Sequence, residues 1–154
     1  MIRKLLNEDI DRVADIWLKT NLKAHYFISN QYWKSNYELV KEMLSQSEVY
    51  VFEADKMIQG FVGLNDEYIE GIFVSDGMQS CGIGKLLLDY IKDKKERLQL
   101  NVYQKNARAI FFTKEKDSLY NVKVWMKLLV KKSTLCYGNK NRNRELWRRV
   151  ICWY

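Results

Sequence analysis

A β-rich run, Tyr68 to Val74, leads through Gln79-Ser80-Cys81-Gly82-Ile83-Gly84-Lys85 into an amphipathic helix, and this junction narrows the possible folds more than any other part of the chain. Ile83, Leu86, Leu87, Tyr90 and Ile91 form an apolar stripe opposite Lys85, Asp89, Lys92 and Lys95, after which Leu98, Leu100 and Val102 alternate as a further strand. Strand, helix and strand in this order predict a crossover unit joining two neighbouring strands. The glycines allow close backbone approach to an anion, the helix N-terminus offers free N–H groups and partial positive charge, and Lys85 adds a full charge nearby. The same residues also fit a tight turn without a ligand. Neither standard nucleotide fingerprint applies, since G-x-G-x-x-G needs a glycine at Leu87 and a P-loop needs Ser or Thr at Leu86, so ATP and NAD are disfavoured.

Upstream, Ile2 to Leu5 can begin a sheet, and Asn7-Glu8-Asp9 supplies a cap and acidic first-turn residues for a helix to about Asn21, with Ile10, Val13, Ala14 and Trp17 on one face. Ser29 caps a second helix ending near Ser45, with Trp33, Tyr37, Val40 and Leu44 on its buried face. The period then changes. Val49 to Phe52, Met57 to Leu64 and Tyr68 to Val74 are β-rich runs with short connections, which predicts an antiparallel meander. Asn106 can cap a short helix through Phe112, and Tyr120 to Val130 alternates as a sixth strand. The predicted order is β-α-α-β-β-β-α-β-α-β, a mixed α/β sheet flanked by helices, in one domain over residues 1–154.

Gln79-Ser80-Cys81-Gly82-Ile83-Gly84 matches in full the motif [QR]-x-x-G-x-[GA], and on it the chain resembles the GNAT superfamily of N-acetyltransferases over about residues 1–112. The resemblance implies the acyl-CoA N-acyltransferase fold, with acetyl-CoA as co-substrate and its pyrophosphate held by residues 79–85. It implies that Gly71-Ile72-Phe73-Val74 lies on the fourth strand, that the pantetheine arm occupies a gap between splayed strands four and five, and that Phe73 and Val74 pair with it. By the same resemblance Asn106 hydrogen-bonds CoA and Phe112 packs near it. His25-Tyr26-Phe27-Ile28 resembles the loop that covers the acceptor site in small bacterial members, with His25, Tyr26 and Trp33 as acceptor contacts. A packed ring is the plainer alternative for His25.

Direct transfer needs an amine in its free-base form, while a lysine-like ammonium titrates near 10.4, so a proton acceptor is required. Glu70, with Glu67 as alternative, stands on or just before the fourth strand; exposed charges on a strand and turn are the competing description. An unperturbed histidine titrates near neutrality, so His25 is a further candidate. Cys81 sits at a helix N-terminus, where thiol pKa falls, yet it occupies a variable position of the motif, so no nucleophilic role is assigned.

The resemblance stops where the family reads F-Y-x-x-x-G-F and this chain reads Phe112-Thr113-Lys114-Glu115-Lys116-Asp117-Ser118. Thr113 stands where a tyrosine is expected to protonate the leaving thiolate, so the general acid is either missing or comes from elsewhere, with Tyr103 or Tyr120 as candidates. Charge changes at the same point: residues 1–112 carry 15 Lys+Arg against 16 Asp+Glu, residues 113–154 carry 11 against 3. The basic tail is either a divergent ending, which could meet an acidic partner or nucleic acid, or a translated frameshift. A CoA-binding module without turnover and a nucleic-acid binder are the competing functions, and nucleic acid is the weaker.

The 47% hydrophobic content supports a folded core rather than disorder. Cys81, Cys136 and Cys152 form neither a disulfide framework nor a zinc motif, and no metal is expected. The N-terminus lacks a secretory signal and no run is long enough to cross a bilayer, so a cytoplasmic protein is expected. A homodimer is compatible with this reading, and the acceptor amine stays open.

Overall fold

The computed structural model describes residues 1–103 and the strand at 122–127. Six strands, β1 (Ile2–Lys4), β2 (Glu48–Ala54), β3 (Met57–Asn65), β4 (Tyr68–Val74), β5 (Leu98–Tyr103) and β6 (Val122–Lys127), form one sheet in that spatial order. The first four are antiparallel, whereas β5 is parallel to β4 and β6 is parallel to β5. The expected mixed sheet, its meander and the later strand are all present. The helix predicted from Asn106 to Phe112 lies outside the described residues.

Two-residue turns close the meander. Asp55 and Lys56 both have positive φ, 50° and 59°, and Asp66 has φ 56°, which matches the right-handed twist of the strands they join. Helices α1 (Ile10–Ala24), α2 (Asn30–Ser35) and α3 (Tyr37–Ser45) cover one face of the sheet, and α4 (Ile83–Lys92) covers the other. On the first face Trp17, Trp33, Val40 and Leu44 pack with Val49, Val51, Phe61 and Phe73. On the second, Ile83, Leu87 and Ile91 pack with Val62, Ile72, Val74, Leu98 and Leu100. β4, buried at every residue, lies between the two cores, as a strand covered on both faces must.

Three local expectations are corrected. The single helix from Ser29 to Ser45 is two helices, because Asn36 leaves helical geometry (φ −96°, ψ 1°) and its side-chain Nδ2 donates to Tyr32 O at 2.7 Å, competing with the helix ladder. Ser29 does cap α2, accepting from Gln31 N at 3.2 Å. α1 runs one turn past Asn21, to Ala24. Asp9 does not cap it by a side-chain hydrogen bond: its carboxylate accepts from Leu6 N at 2.8 Å and from the Arg3 guanidinium at 2.6 and 3.1 Å. Arg3 also donates to Glu53 on β2, and the guanidinium holds Asp9 below the usual carboxylate range. Between helices, Tyr37 Oη donates to Asp15 at 2.7 Å, and burial followed by that bond pushes the phenol up to about 12.

Candidate active site

β4 and β5 meet only at their beginnings. Tyr68 pairs with Gln99 and Ile69 with Leu100, and Gln99 N donates to Glu67 O at 2.8 Å. Beyond Ile69 the two ladders part, while β5 stays paired with β6 along its whole length. From Glu70 to Val74, β4 therefore turns a backbone edge toward β5 that no described strand covers.

The other edge of β4 is irregular at the same place. Gly63 pairs with Gly71 but Leu64 with Ile69, so Glu70 is the extra residue of a β-bulge. A bulge sharpens the local twist and re-aims the strand, which accounts for β4 leaving β5 where it does. Glu70 is 0% exposed, whereas Glu67 in the preceding turn is exposed. The description of Glu70 as a surface charge is thus overturned: it lies on a strand that is covered on both faces and buried at every residue.

The turn after β4 is held from three sides. Ser75 N donates to Gln59 O at 2.7 Å and Ser75 Oγ to Gln59 Oε1 at 2.8 Å. Gln79 Nε2 donates to Val74 O at 3.1 Å, closing the loop onto the strand end. Ser80 takes φ 64° and Gly82, the N-cap of α4, φ 81°. At Gly82 a Cβ would meet nothing within 4 Å, so glycine is needed for conformation and the space over the turn is open. Leu86 N to Gly82 O is the first helical bond of α4, so the N–H groups of Ile83, Gly84 and Lys85 belong to the turn that a helix cannot bond to itself.

Ile83 seats the helix end on the sheet. Its Cγ2 lies 3.1 Å from where a Cβ on Gly60 of β3 would stand, and that Cβ would also be 2.8 Å from Phe73 O. Gly60 is a site-building residue that sequence reasoning missed; the signal available was an isolated glycine inside a strand pattern. The Lys85 ammonium bonds Asp89 at 2.8 Å along the helix. Exposed Cys81 is 3.7 Å from Gln79 O.

The acceptor-loop candidates lie at the end of α1. His25, 1% exposed, sits between Phe27 at 5.6 Å and Trp33 at 5.5 Å, and Trp33, 0% exposed, meets Trp17 edge-on at 5.8 Å. Tyr26 alone of the three is exposed, at 79%. His25 and Trp33 are thus packed rings of the α1–α3 core. Lys23 of α1 bridges Asp76, just after β4, at 2.5 Å, and so brings this loop to the C-terminal end of β4, beside the glycine turn. Tyr103 ends β5 on the opposite wall of the gap; Asn106, Phe112 and Thr113 lie outside the described residues. Among the described residues no group of His, Cys, Asp and Glu could hold a metal, and no helix is long and apolar enough to cross a membrane.

An open strand edge running up to a glycine-capped helix N-terminus suits an extended thioester carrying a pyrophosphate. The comparisons agree: the chain matches the model of the acetyltransferase (GNAT) domain over residues 21–114. It is 32% identical over 114 residues to peptidyl-lysine N-acetyltransferase YiaC of Escherichia coli K12, covering 73% of this chain and 78% of that protein. Apo YjaB of Escherichia coli shares the fold with a TM-score of 0.67 at 24% identity, over 74% of this chain and 78% of that one. So does yncA of Salmonella typhimurium, solved with its cofactor acetyl-CoA, with a TM-score of 0.53 at 18% identity, over 75% and 77% of the two chains. The chain belongs to the GNAT family. It is an N-acetyltransferase that takes the acetyl group from acetyl-CoA and transfers it to an amine. The family match ends within two residues of the point where the expected F-Y-x-x-x-G-F is lost.

Proposed function

We propose that the acceptor is the ε-amine of a lysine in a protein, acetylated by direct attack in a ternary complex. The observation that carries the mechanism is the open edge of β4 from Glu70 to Val74, continuous with the glycine turn. The acceptor class is supported by three curated relatives, YiaC and YjaB of Escherichia coli and YjaB of Salmonella typhimurium, all named peptidyl-lysine N-acetyltransferases.

Acetyl-CoA supplies an activated acyl group. On this reading the backbone of Gln79, Ser80, Cys81, Gly82, Ile83, Gly84 and Lys85 holds its pyrophosphate, and Phe73 and Val74 hold its pantetheine arm. Asn106 and Phe112 complete the donor site. The α1–α2 loop forms the acceptor mouth, with Tyr26 on its surface and His25 and Trp33 packed beneath. Glu70 receives the amine proton, directly or through water; a β4 backbone N–H steadies the developing oxyanion; Tyr103, across the gap, returns a proton to the leaving thiolate. The amine nitrogen adds to the thioester carbonyl carbon, forming the C–N bond and the oxyanion; the C–S bond then breaks as the carbonyl re-forms and the thiolate leaves, and no covalent enzyme intermediate is needed. Residues 113–154 are read as part of the same domain, in keeping with the pairing of β6 with β5.

Thiol release from acetyl-CoA, measured with lysine peptides, polyamines and free amino acids, tests the acceptor class. Turnover is expected with lysine peptides, and turnover on small amines alone would overturn the proposal. Glu70→Gln should lower kcat by about 10²–10⁴-fold at neutral pH with acetyl-CoA affinity kept.

A further inference from the structure

We propose that the Phe73 side chain sets the length of the transferable acyl group, restricting this enzyme to the two-carbon acetyl. The proposal rests on the donor site given above. From Val74 at the glycine-turn end of β4 back to Glu70, the open edge spans about 13 Å at ~3.3 Å per residue. An extended pantetheine arm laid along it from the turn brings its thioester beside Glu70 and Gly71, where β4 and β5 converge.

The space beside Gly71 is already taken. A Cβ built there would lie 2.1 Å from Phe73 Cε2 and 2.7 Å from Cζ, so the Phe73 ring leans back along the strand and covers the glycine. The ring cannot easily move away. It stacks on Phe61, its partner in register on β3, at 4.8 Å between centroids and 18° between planes, and both residues are 1% exposed. Both rings belong to the core beneath α1, α2 and α3, the face on which the acceptor loop lies. Gly71 thus leaves room for backbone alone, and Phe73 closes that room toward the acceptor side. An acetyl methyl needs no displacement of the ring, whereas each further methylene must push it against Phe61 in a close-packed interior.

The test compares kcat/KM for acetyl-, propionyl- and butyryl-CoA with one lysine peptide. The wild-type enzyme should prefer acetyl over propionyl by at least ~10-fold, the lower end of what one methylene is worth in a fitted pocket. Phe73→Leu should narrow that ratio by about 10-fold, and Phe61→Leu, which loosens the ring's support, should move it the same way by less. Circular dichroism checks folding, and Phe73→Met replaces Phe73→Leu should the latter not fold. A wild-type enzyme that uses propionyl-CoA as well as acetyl-CoA, or a folded Phe73 variant with the wild-type ratio, would overturn the proposal. Gly82→Asp separates the two levels: retained acetyl-CoA affinity refutes the donor site itself, whereas lost affinity beside an unchanged acyl ratio in Phe73→Leu refutes only the acyl limit.

Discussion

The two ends of the proposed cleft are built from different materials. The donor end is made of backbone: an open edge on β4, a bulge at Glu70, a left-handed glycine at 82 and the first N–H groups of α4. It leaves no room for an added Cβ where Gly60 meets Ile83 and Phe73. The acceptor end is made of side chains, the rings of Trp17, His25, Phe27 and Trp33 packed under a loop whose exposed residue is Tyr26. On the proposed reading the backbone end recognises the co-substrate acetyl-CoA. A side-chain site can be rebuilt for each acceptor without disturbing it.

Substitutions at the two ends should therefore separate stability, donor affinity and acceptor affinity. Trp33→Ala has the largest expected effect, about 3–5 kcal/mol of folding stability in a denaturation experiment, because it empties the centre of the α1–α3 core. Acetyl-CoA affinity of the remaining folded protein should be unchanged, and a parallel loss would break the separation. Gly82→Asp should weaken acetyl-CoA binding by about 100-fold, ~2.7 kcal/mol by calorimetry, by setting a carboxylate against the pyrophosphate at a residue with φ 81°.

Arg3→Ala, remote from both ends, should cost about 1–2 kcal/mol and alter neither KM. Its pH dependence has a definite sign. Asp9 is held below its ordinary pKa by Arg3, so the stabilisation is complete above about pH 4 and is lost as pH falls through the lowered value. The variant's stability should accordingly fall less in acid than the wild type's. The smallest effect is expected of Tyr26→Ala: under ~0.5 kcal/mol in stability, since the ring is exposed, but a several-fold rise in KM for a lysine peptide with KM for acetyl-CoA unchanged. An unchanged peptide KM would remove Tyr26 from the acceptor mouth.

Much of the structure at the proposed donor end is legible in the chain because its parts are contiguous. Residues 68–92 carry the strand, the turn and the helix, and the need for glycine at position 82 is a property of one residue's φ. The meander is equally local, two-residue turns between β-rich runs. The break at Asn36 is hidden because the apolar period from Trp33 to Leu44 continues across it, while the side chain that interrupts the ladder leaves no mark in periodicity. Gly60 and Gly71 are hidden for another reason: what makes each necessary is an atom from elsewhere, Ile83 for one and the Phe73 ring for the other.

By itself, then, the sequence determined the co-substrate, acetyl-CoA, and the glycine-capped helix following a buried strand that is proposed to hold it, because that unit depends on local backbone geometry that neighbouring residues dictate. Only the tertiary structure decided the rest of the cleft. Glu70 is interior because helices cover β4 on both faces, and cross-strand register makes it the extra residue of a bulge, while residues 17, 25 and 33 form one aromatic cluster only when α1 and α2 are laid on the same face of the sheet. Burial and register are properties of packed elements, and no stretch of chain contains them.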